Sequence, residues 1–326
     1  ASDVYKRQVL GYVLKPIRHM FPPLVTGIVV LMIGVSLLGV GFQYAGGGAW
    51  LLNNKPDVFA NGSHLFLAFT VLIVTVVVHQ YSRGFLGSAS ILIGMGVGYL
   101  VAIPMGMIQF GKIASASWFS LPMPLQYGID FVPGAIILML FMAVVTTIET
   151  IGDISATTMG GSNREATDEE ISGGILADGL GTAFGSLFNA MPNTSYSQNA
   201  GLVAFTGVVN KVVGTIAGII LILLGLFPKL GGIIAAMPES ILGGAAIVMF
   251  GLITAAGIKL IAQSELNKRN LLILGLSLSF GIGMYLKPQF ASHIPDLGIN
   301  LPLLLTTGLI PAGLLAFILN ATLPKK

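Results

Sequence analysis

Glu149 and Asp153 lie four residues apart inside an apolar run, and Asp178 follows in the next one. A spacing of four puts the first two carboxylates on one face of a helix. Carboxylates at membrane depth are costly, so they face a protein interior or a water-filled path. Two on one face cannot both ionise cheaply in low dielectric, so one should be able to carry a proton. Two plainer readings stand beside this one: Asp153 hydrated near the end of its helix, and Asp178 capping or bridging helices. Further along, Pro192-Asn193-Thr194-Ser195-Tyr196-Ser197 has poor helix propensity and side chains that bond their own backbone. At membrane depth such a run makes sense as an extended segment lining a cavity. A helix restarting at Gln198-Asn199 would aim its N-terminal N–H groups, and a carboxamide that both donates and accepts, at a ligand. An ordinary loop between two short helices is the alternative, but Asn189 to Gln198 carries no charge, unlike the other loops. A carboxylate, an amide and free backbone groups suit a flat heterocycle with alternating N–H and C=O better than a bare ion.

The rest of the chain has the composition of a frame for that site. Its 326 residues are 54% hydrophobic and 9% charged, with a mean hydropathy of +0.89. A soluble domain cannot hide so much apolar surface, whereas a polytopic membrane protein need not. The net charge of +3 lies in loops and speaks to topology rather than to nucleic acid. With no Cys, there are no disulfides, thiolate metal sites or Cys nucleophiles. His19, His64, His79 and His293 have no metal-ligand spacing. No Walker A pattern is present, so ATP-driven transport has no support. Ala1 to Gln8 is polar and is read as a scar or truncation edge, outside the fold.

Apolar runs predict spans over Leu24–Phe42, Leu65–Val78, Phe85–Met107, Val132–Thr158, Ser172–Asn189, Val208–Phe227, Ile241–Ala262, Leu271–Leu286 and Leu301–Leu323. With the broken segment from Pro192 to Thr206 as one crossing, the count is roughly ten. Ile108 to Asp130 reads as a loop at the interface, and Gly160 to Glu170 as a solvated loop. Lys15 with Arg18, Arg83, Arg164, Lys211, Lys268 with Arg269, and Lys325 with Lys326 fall on alternate loops. That bias predicts both ends of the chain on the cytoplasmic side. Gly94, Gly96 and Gly98, and the Gly243-Gly244 pair, should allow close helix approach.

Several stretches, in order, resemble the nucleobase–ascorbate transporter family, which includes bacterial xanthine, urate and uracil permeases. The family signature is matched by Gln198-Asn199-Ala200-Gly201 followed by Thr206-Gly207. Phe188-Asn189-Ala190-Met191-Pro192-Asn193-Thr194, Ile148-Glu149-Thr150-Ile151-Gly152-Asp153 and Gly173-Gly174-Ile175-Leu176-Ala177-Asp178-Gly179 are also similar to it. The resemblance runs from about Leu10 to the C-terminus. It implies an all-α polytopic, inverted-repeat transporter of the uracil-permease type, with fourteen segments, a core domain and a gate domain, and a short extended segment in a broken helix. Residues 1–23 would be an N-terminal scar or cytoplasmic loop. Residues 24–131 and 228–326 would supply gate helices, and 132–227 core helices. The family has about four further N-terminal segments, so the chain is expected to be a truncated form with about ten of fourteen.

The resemblance further implies proton-coupled uptake by an elevator-like movement of the core, with H⁺ as coupling ion, Na⁺ as the alternative, and no cofactor. Glu149 would bind the ring N–H groups of the base and Gln198 its opposite edge. Asn199, Ser195 and Tyr196 would complete the site, with Gly201 and Thr206 as motif positions. Asp153 and Asp178 fall at positions tied to coupling and core integrity. Gln at position 198 is similar to the xanthine or urate branch; the uracil branch usually has Glu. A homodimer in a bacterial inner membrane is implied by the same resemblance. The competing readings are a uracil or other nucleobase permease, and an anion carrier of the same fold, against which Glu149 argues. An intramembrane aspartyl hydrolase is the remaining one: Ile151-Gly152-Asp153-Ile154 resembles the Gly-Asp element of that class but has no second matching motif.

Overall fold

A computed structural model describes residues 22–196, 203, 206–294 and 301–324. The described residues are helical with no β-strand. The helices are α1 (Pro23–Ala45), α2 (Ala49–Asn54), α3 (Gly62–Tyr81), α4 (Phe85–Ser88), α5 (Ser90–Ala102), α6 (Phe110–Ser115), α7 (Pro133–Ser162), α8 (Asp168–Leu187), α9 (Lys211–Gly225), α10 (Pro228–Ala235), α11 (Glu239–Ile261), α12 (Lys268–Leu286), α13 (Leu301–Thr306) and α14 (Leu309–Thr322). A short 3₁₀ helix, Pro288–His293, follows α12. Among the described residues, α1, α3, α11 and α12 are each long and apolar enough to cross a bilayer, and the bent pair α9–α10 makes a fifth.

Two spans expected to be continuous are interrupted. The run from Phe85 to Met107 divides at Ala89, and its main helix stops at Ala102, just ahead of Pro104. The run from Val208 ends near Phe227 as expected, and the chain bends there by 80° as Pro228 begins α10. The last run divides at Thr307-Gly308; Gly308 takes φ +70°, a conformation open to glycine, with the Gly281 carbonyl 2.9 Å from where a Cβ would stand.

α1 and α11 lie antiparallel along a seam of glycines seven residues apart. Gly27 faces Ile261, Gly34 faces Thr254 and Gly41 faces Ile247, so both sides of the contact repeat every seventh residue. A repeat of seven keeps one stripe of a helix against its partner. A Cβ at Gly34 would stand 2.6 Å from the Thr254 backbone N, so this seam is backbone against backbone. Leu24, Val25, Ile28 and Met32 of α1 are buried with Ile261, Ile273, Ala312 and Ala316. A second cluster joins Leu67 and Val71 of α3 with Ala102, Ile241 and Ala245. Gly94 and Gly98 of α5 pack on Thr75 and Val71 as expected, but Gly96 has nothing within 4 Å. Residues two apart on a helix point to opposite sides, so a packing face could hold only the outer two. Large apolar residues such as Phe69, Ile73, Leu92 and Ile220 are exposed, which suits a surface met by lipid.

α7 packs against α8, and α1 also touches α7. Those two helices and the segment after them hold the polar residues.

Candidate functional site

α7 starts at Pro133, whose missing N–H costs nothing at a first helical position. It runs 30 residues to Ser162, about 45 Å, and ends at Asn163 in the left-handed region. The helix therefore continues roughly 14 Å beyond Asp153, so Asp153 stands farther from the polar loop than its place in the apolar run suggests. That loop is also shorter than expected, because Asp168–Glu170 form the first turn of α8. Thr167 and Glu170 make a capping box: the Thr167 N–H donates to Glu170 Oε2 at 2.9 Å and the Glu170 N–H to Thr167 Oγ1 at 3.2 Å. Arg164 donates to both oxygens of Glu170, at 2.8 and 2.5 Å. The guanidinium bonds, with the Thr167 N–H, hold the Glu170 carboxyl down to about 2.

α8 ends at Leu187, and Asn189 turns the chain with φ +62°, a conformation asparagine tolerates. The Asn189 amide donates to the Met123 carbonyl at 2.9 Å, and the Leu125 N–H to the Leu187 carbonyl at 2.7 Å, so the 121–128 loop is tied to the end of α8. Residues 190–196 are then non-helical, as the propensities of Pro192-Asn193-Thr194-Ser195 predict.

This extended segment is fastened along α8 and α7 by side chains. The Thr182 hydroxyl donates to Asn193 Oδ1 at 2.7 Å, and Asn193 Nδ2 donates to Asp178 Oδ1 at 2.9 Å. Asp178 Oδ2 accepts from the Thr150 hydroxyl at 3.1 Å. The Ser195 hydroxyl donates to Asp153 Oδ2 in a short hydrogen bond and lies 3.4 Å from Thr150 Oγ1. Asp178 thus bridges α7, α8 and the extended segment, the plainer of the two sequence readings for it. Asp153 is also engaged, as the acceptor that holds Ser195.

Glu149 differs from both. It is half-buried on the same face, close enough to feel the charges of Asp153 and Asp178, and has no hydrogen-bond partner among the described residues. No Lys, Arg or His among the described residues bonds to any of the three acids, and none of the groupings of acids and histidines there could hold a metal ion. The arrangement offers one uncommitted carboxylate beside a braced extended segment. That can accept hydrogen bonds from a donor-bearing ligand.

Glu149, Asp153, Asp178 and Ser195 are therefore brought together. Tyr196 follows Ser195 in the chain and is 54% exposed. The Thr206 hydroxyl accepts from the Val208 N–H at 3.4 Å, beyond the extended segment. Gln198, Asn199 and Gly201 lie outside the described residues. Sequence reasoning missed Thr150, Thr182 and Asn193 as site residues. Thr150 was within reach: it stands three residues before Asp153, on the same helix face.

A family model for a permease family, Xan_ur_permease, matches residues 9–290. The chain is 39% identical to a Clostridium perfringens protein with a purine permease name, over 97% of the chain and 68% of that protein. It is 37% identical to a xanthine permease of Bacillus subtilis, over 96% of the chain and 70% of the relative. With the uric acid transporter UacT of Escherichia coli the identity is 36%, over 96% of the chain and 64% of that protein.

Proposed function

The chain belongs to this permease family, and from that premise we propose that it is a proton-coupled symporter for a purine nucleobase, xanthine or urate. It is a transporter rather than an enzyme, and an integral protein of a bacterial membrane. The observation that carries the site assignment is the unequal state of the three acids. Asp153 and Asp178 are occupied in holding Ser195, Thr150 and Asn193, while Glu149 keeps its acceptor capacity for a ligand. Xanthine and urate each present several ring N–H groups, and a carboxylate can accept more than one hydrogen bond at once. In this reading Glu149 takes the N–H edge, and Gln198, supported by Asn199, takes the opposite edge. Ser195 and Tyr196 line the site between them, and Gly201 and Thr206 shape the restarted helix.

The same reading divides the chain into core residues 132–227 and gate residues 24–131 and 228–326, set in inverted repeats. Its support is that α1, α3, α5, α11, α12 and α14 pack on one another while α7 packs on α8. Elevator-like movement of the core, both chain ends in the cytoplasm and a homodimer belong to the proposal as well.

The test is equilibrium binding of radiolabelled xanthine to purified protein. Glu149→Gln keeps the shape but puts an amide N–H where a second acceptor is needed. Binding should fall by about 10²-fold or more, since a site built to pair a ligand N–H is left with unpaired donors. Gln198→Ala should have a similar effect. Unchanged affinity in both variants would overturn the assignment.

A further inference from the structure

Thr150 has no role in the reading above, yet the residue is only 3% exposed and its hydroxyl stands between the Asp178 carboxylate and Ser195, which reaches Asp153. The hydroxyl protons there can be counted, because each hydroxyl donates once and accepts on its oxygen. With Asp153 and Asp178 both ionised, each carboxylate only accepts. Ser195 gives its proton to Asp153 and Thr150 gives its own to Asp178. No proton is then left for the 3.4 Å contact between Thr150 and Ser195, and the two oxygens face each other through lone pairs.

One added proton closes that gap from either end. Bound on Asp153, it is donated to Ser195; Ser195 turns to donate to Thr150, and Thr150 donates to Asp178. Bound on Asp178, it is donated to Thr150, which turns to Ser195, while Ser195 donates to Asp153. Both arrangements are unbroken chains of three hydrogen bonds. They interconvert when the Asp153 O–H breaks as a Ser195 O–H forms, the old Ser195 O–H breaks as a Thr150 O–H forms, and the old Thr150 O–H breaks as the Asp178 O–H forms. The net change is one proton moved from Asp153 to Asp178, with no heavy atom displaced. Asn193 donates to the other oxygen, Oδ1, of Asp178 and so leaves Oδ2 to Thr150.

We propose that Thr150 and Ser195 form a two-hydroxyl relay through which Asp153 and Asp178 share a single proton between α7 and α8. The charged groups facing the pair are few. Glu149 on α7 is the third acid, α1 carries no charged residue on the side of α7 or elsewhere, and the described part of the extended segment is neutral. The use of the relay in transport rests on the proton-coupled reading above: it gives the cotransported proton a holding place behind the ligand, distinct from Glu149. Thr150 is a positioning and relay residue and touches no ligand.

Two variants separate this from a packing role. Thr150→Val removes the hydroxyl at nearly constant shape, and Thr150→Ser keeps it. In proteoliposomes, xanthine uptake and proton entry are followed together across acid to alkaline external pH. Thr150→Val should lose the acid stimulation of uptake by roughly 10²-fold, the low end of what a positioned proton-transfer group contributes. Thr150→Ser should restore it. A packing role would lower uptake equally at every pH and leave the ratio of protons to xanthine unchanged, and that result overturns the relay. Xanthine uptake by the parent protein without proton entry overturns both the relay and proton coupling. Infrared difference spectra on acidification test the relay without transport. The protonated-carboxyl band of the parent should respond to Asp153→Asn and to Asp178→Asn alike, and in Thr150→Val it should respond to only one of them. A band that Thr150→Val leaves untouched sinks the relay even if purine transport stands.

Discussion

Asp178→Ala is the sharpest single perturbation of the site, because one carboxylate holds two partners on two different elements. Its Oδ2 accepts from Thr150, whose hydroxyl is buried and cannot turn to water. A hydrogen bond from such a group to a charge contributes about 1.5–3 kcal/mol. Its Oδ1 accepts from the Asn193 amide, which is exposed and can be rehydrated, so that bond adds about 0.5–1 kcal/mol. Together the extended segment loses about 2–4 kcal/mol of restraint, which is between roughly 30-fold and 10³-fold in an equilibrium constant. If that segment presents Ser195 and Tyr196 to the ligand, the loss appears as weaker xanthine binding to purified protein. Faster amide exchange over residues 190–196 should accompany it. Asp178→Asn is the internal control. Its amide oxygen still accepts from Asn193, and its NH₂ faces Thr150, whose hydroxyl can turn to Ser195. Both charge-assisted bonds become neutral ones, together worth about 1–1.5 kcal/mol or roughly five- to tenfold. The reasoning is wrong if Asp178→Ala binds like the parent, or if Asp178→Asn is as damaging as Asp178→Ala.

Two further outcomes are expected from features away from the acids. Gly34→Val should abolish recovery of folded protein in size-exclusion chromatography, since its Cβ meets the Thr254 backbone, while Gly96→Ala should be recovered like the parent because open space surrounds it. The Glu170 brace should survive acid unusually far. Its carboxyl, ordinarily near 4.5, is held at about 2, so its stabilising effect is full above the ordinary value and is lost only as pH falls towards 2. Exchange of the first α8 amides, corrected for intrinsic rates, should therefore stay slow at mildly acidic pH in the parent and rise in Glu170→Gln.

The sequence made the acids and the broken segment legible because both violate their surroundings. Carboxylates stand out in apolar runs, and Pro192-Asn193-Thr194-Ser195 cannot sustain a helix. It could not show which acid lacks a hydrogen-bond partner among the described residues. That depends on which oxygens the hydroxyls of Thr150, Thr182 and Ser195 reach, and spacing along one chain does not fix contacts between elements. Helices with a strong 19- to 23-residue apolar pattern, such as α1, α11 and α12, were readable within a few residues. The interruptions at Ala89 and Gly308 were not, since an apolar run reports burial in lipid and is silent about a bend inside it. The Gly27, Gly34 and Gly41 repeat is less conspicuous in the sequence than the closely spaced Gly94, Gly96 and Gly98. Close clustering does not make a packing face, whereas spacings of three, four and seven keep residues on one side of a helix.

Gly243 and Gly244 are neighbours in α11 that serve different partners. The first lies against the backbone of Tyr44 and Ala45 at the end of α1, the second against Ala68 and Val71 of α3. Neither contact offers a flexible side chain that could yield, so neither site can adapt by repacking. A saturation library selected for function should therefore be strongly uneven across this protein. Outward positions such as Leu92 and Ile220 should accept almost any apolar residue, and two consecutive positions in α11 should come back empty of everything but glycine.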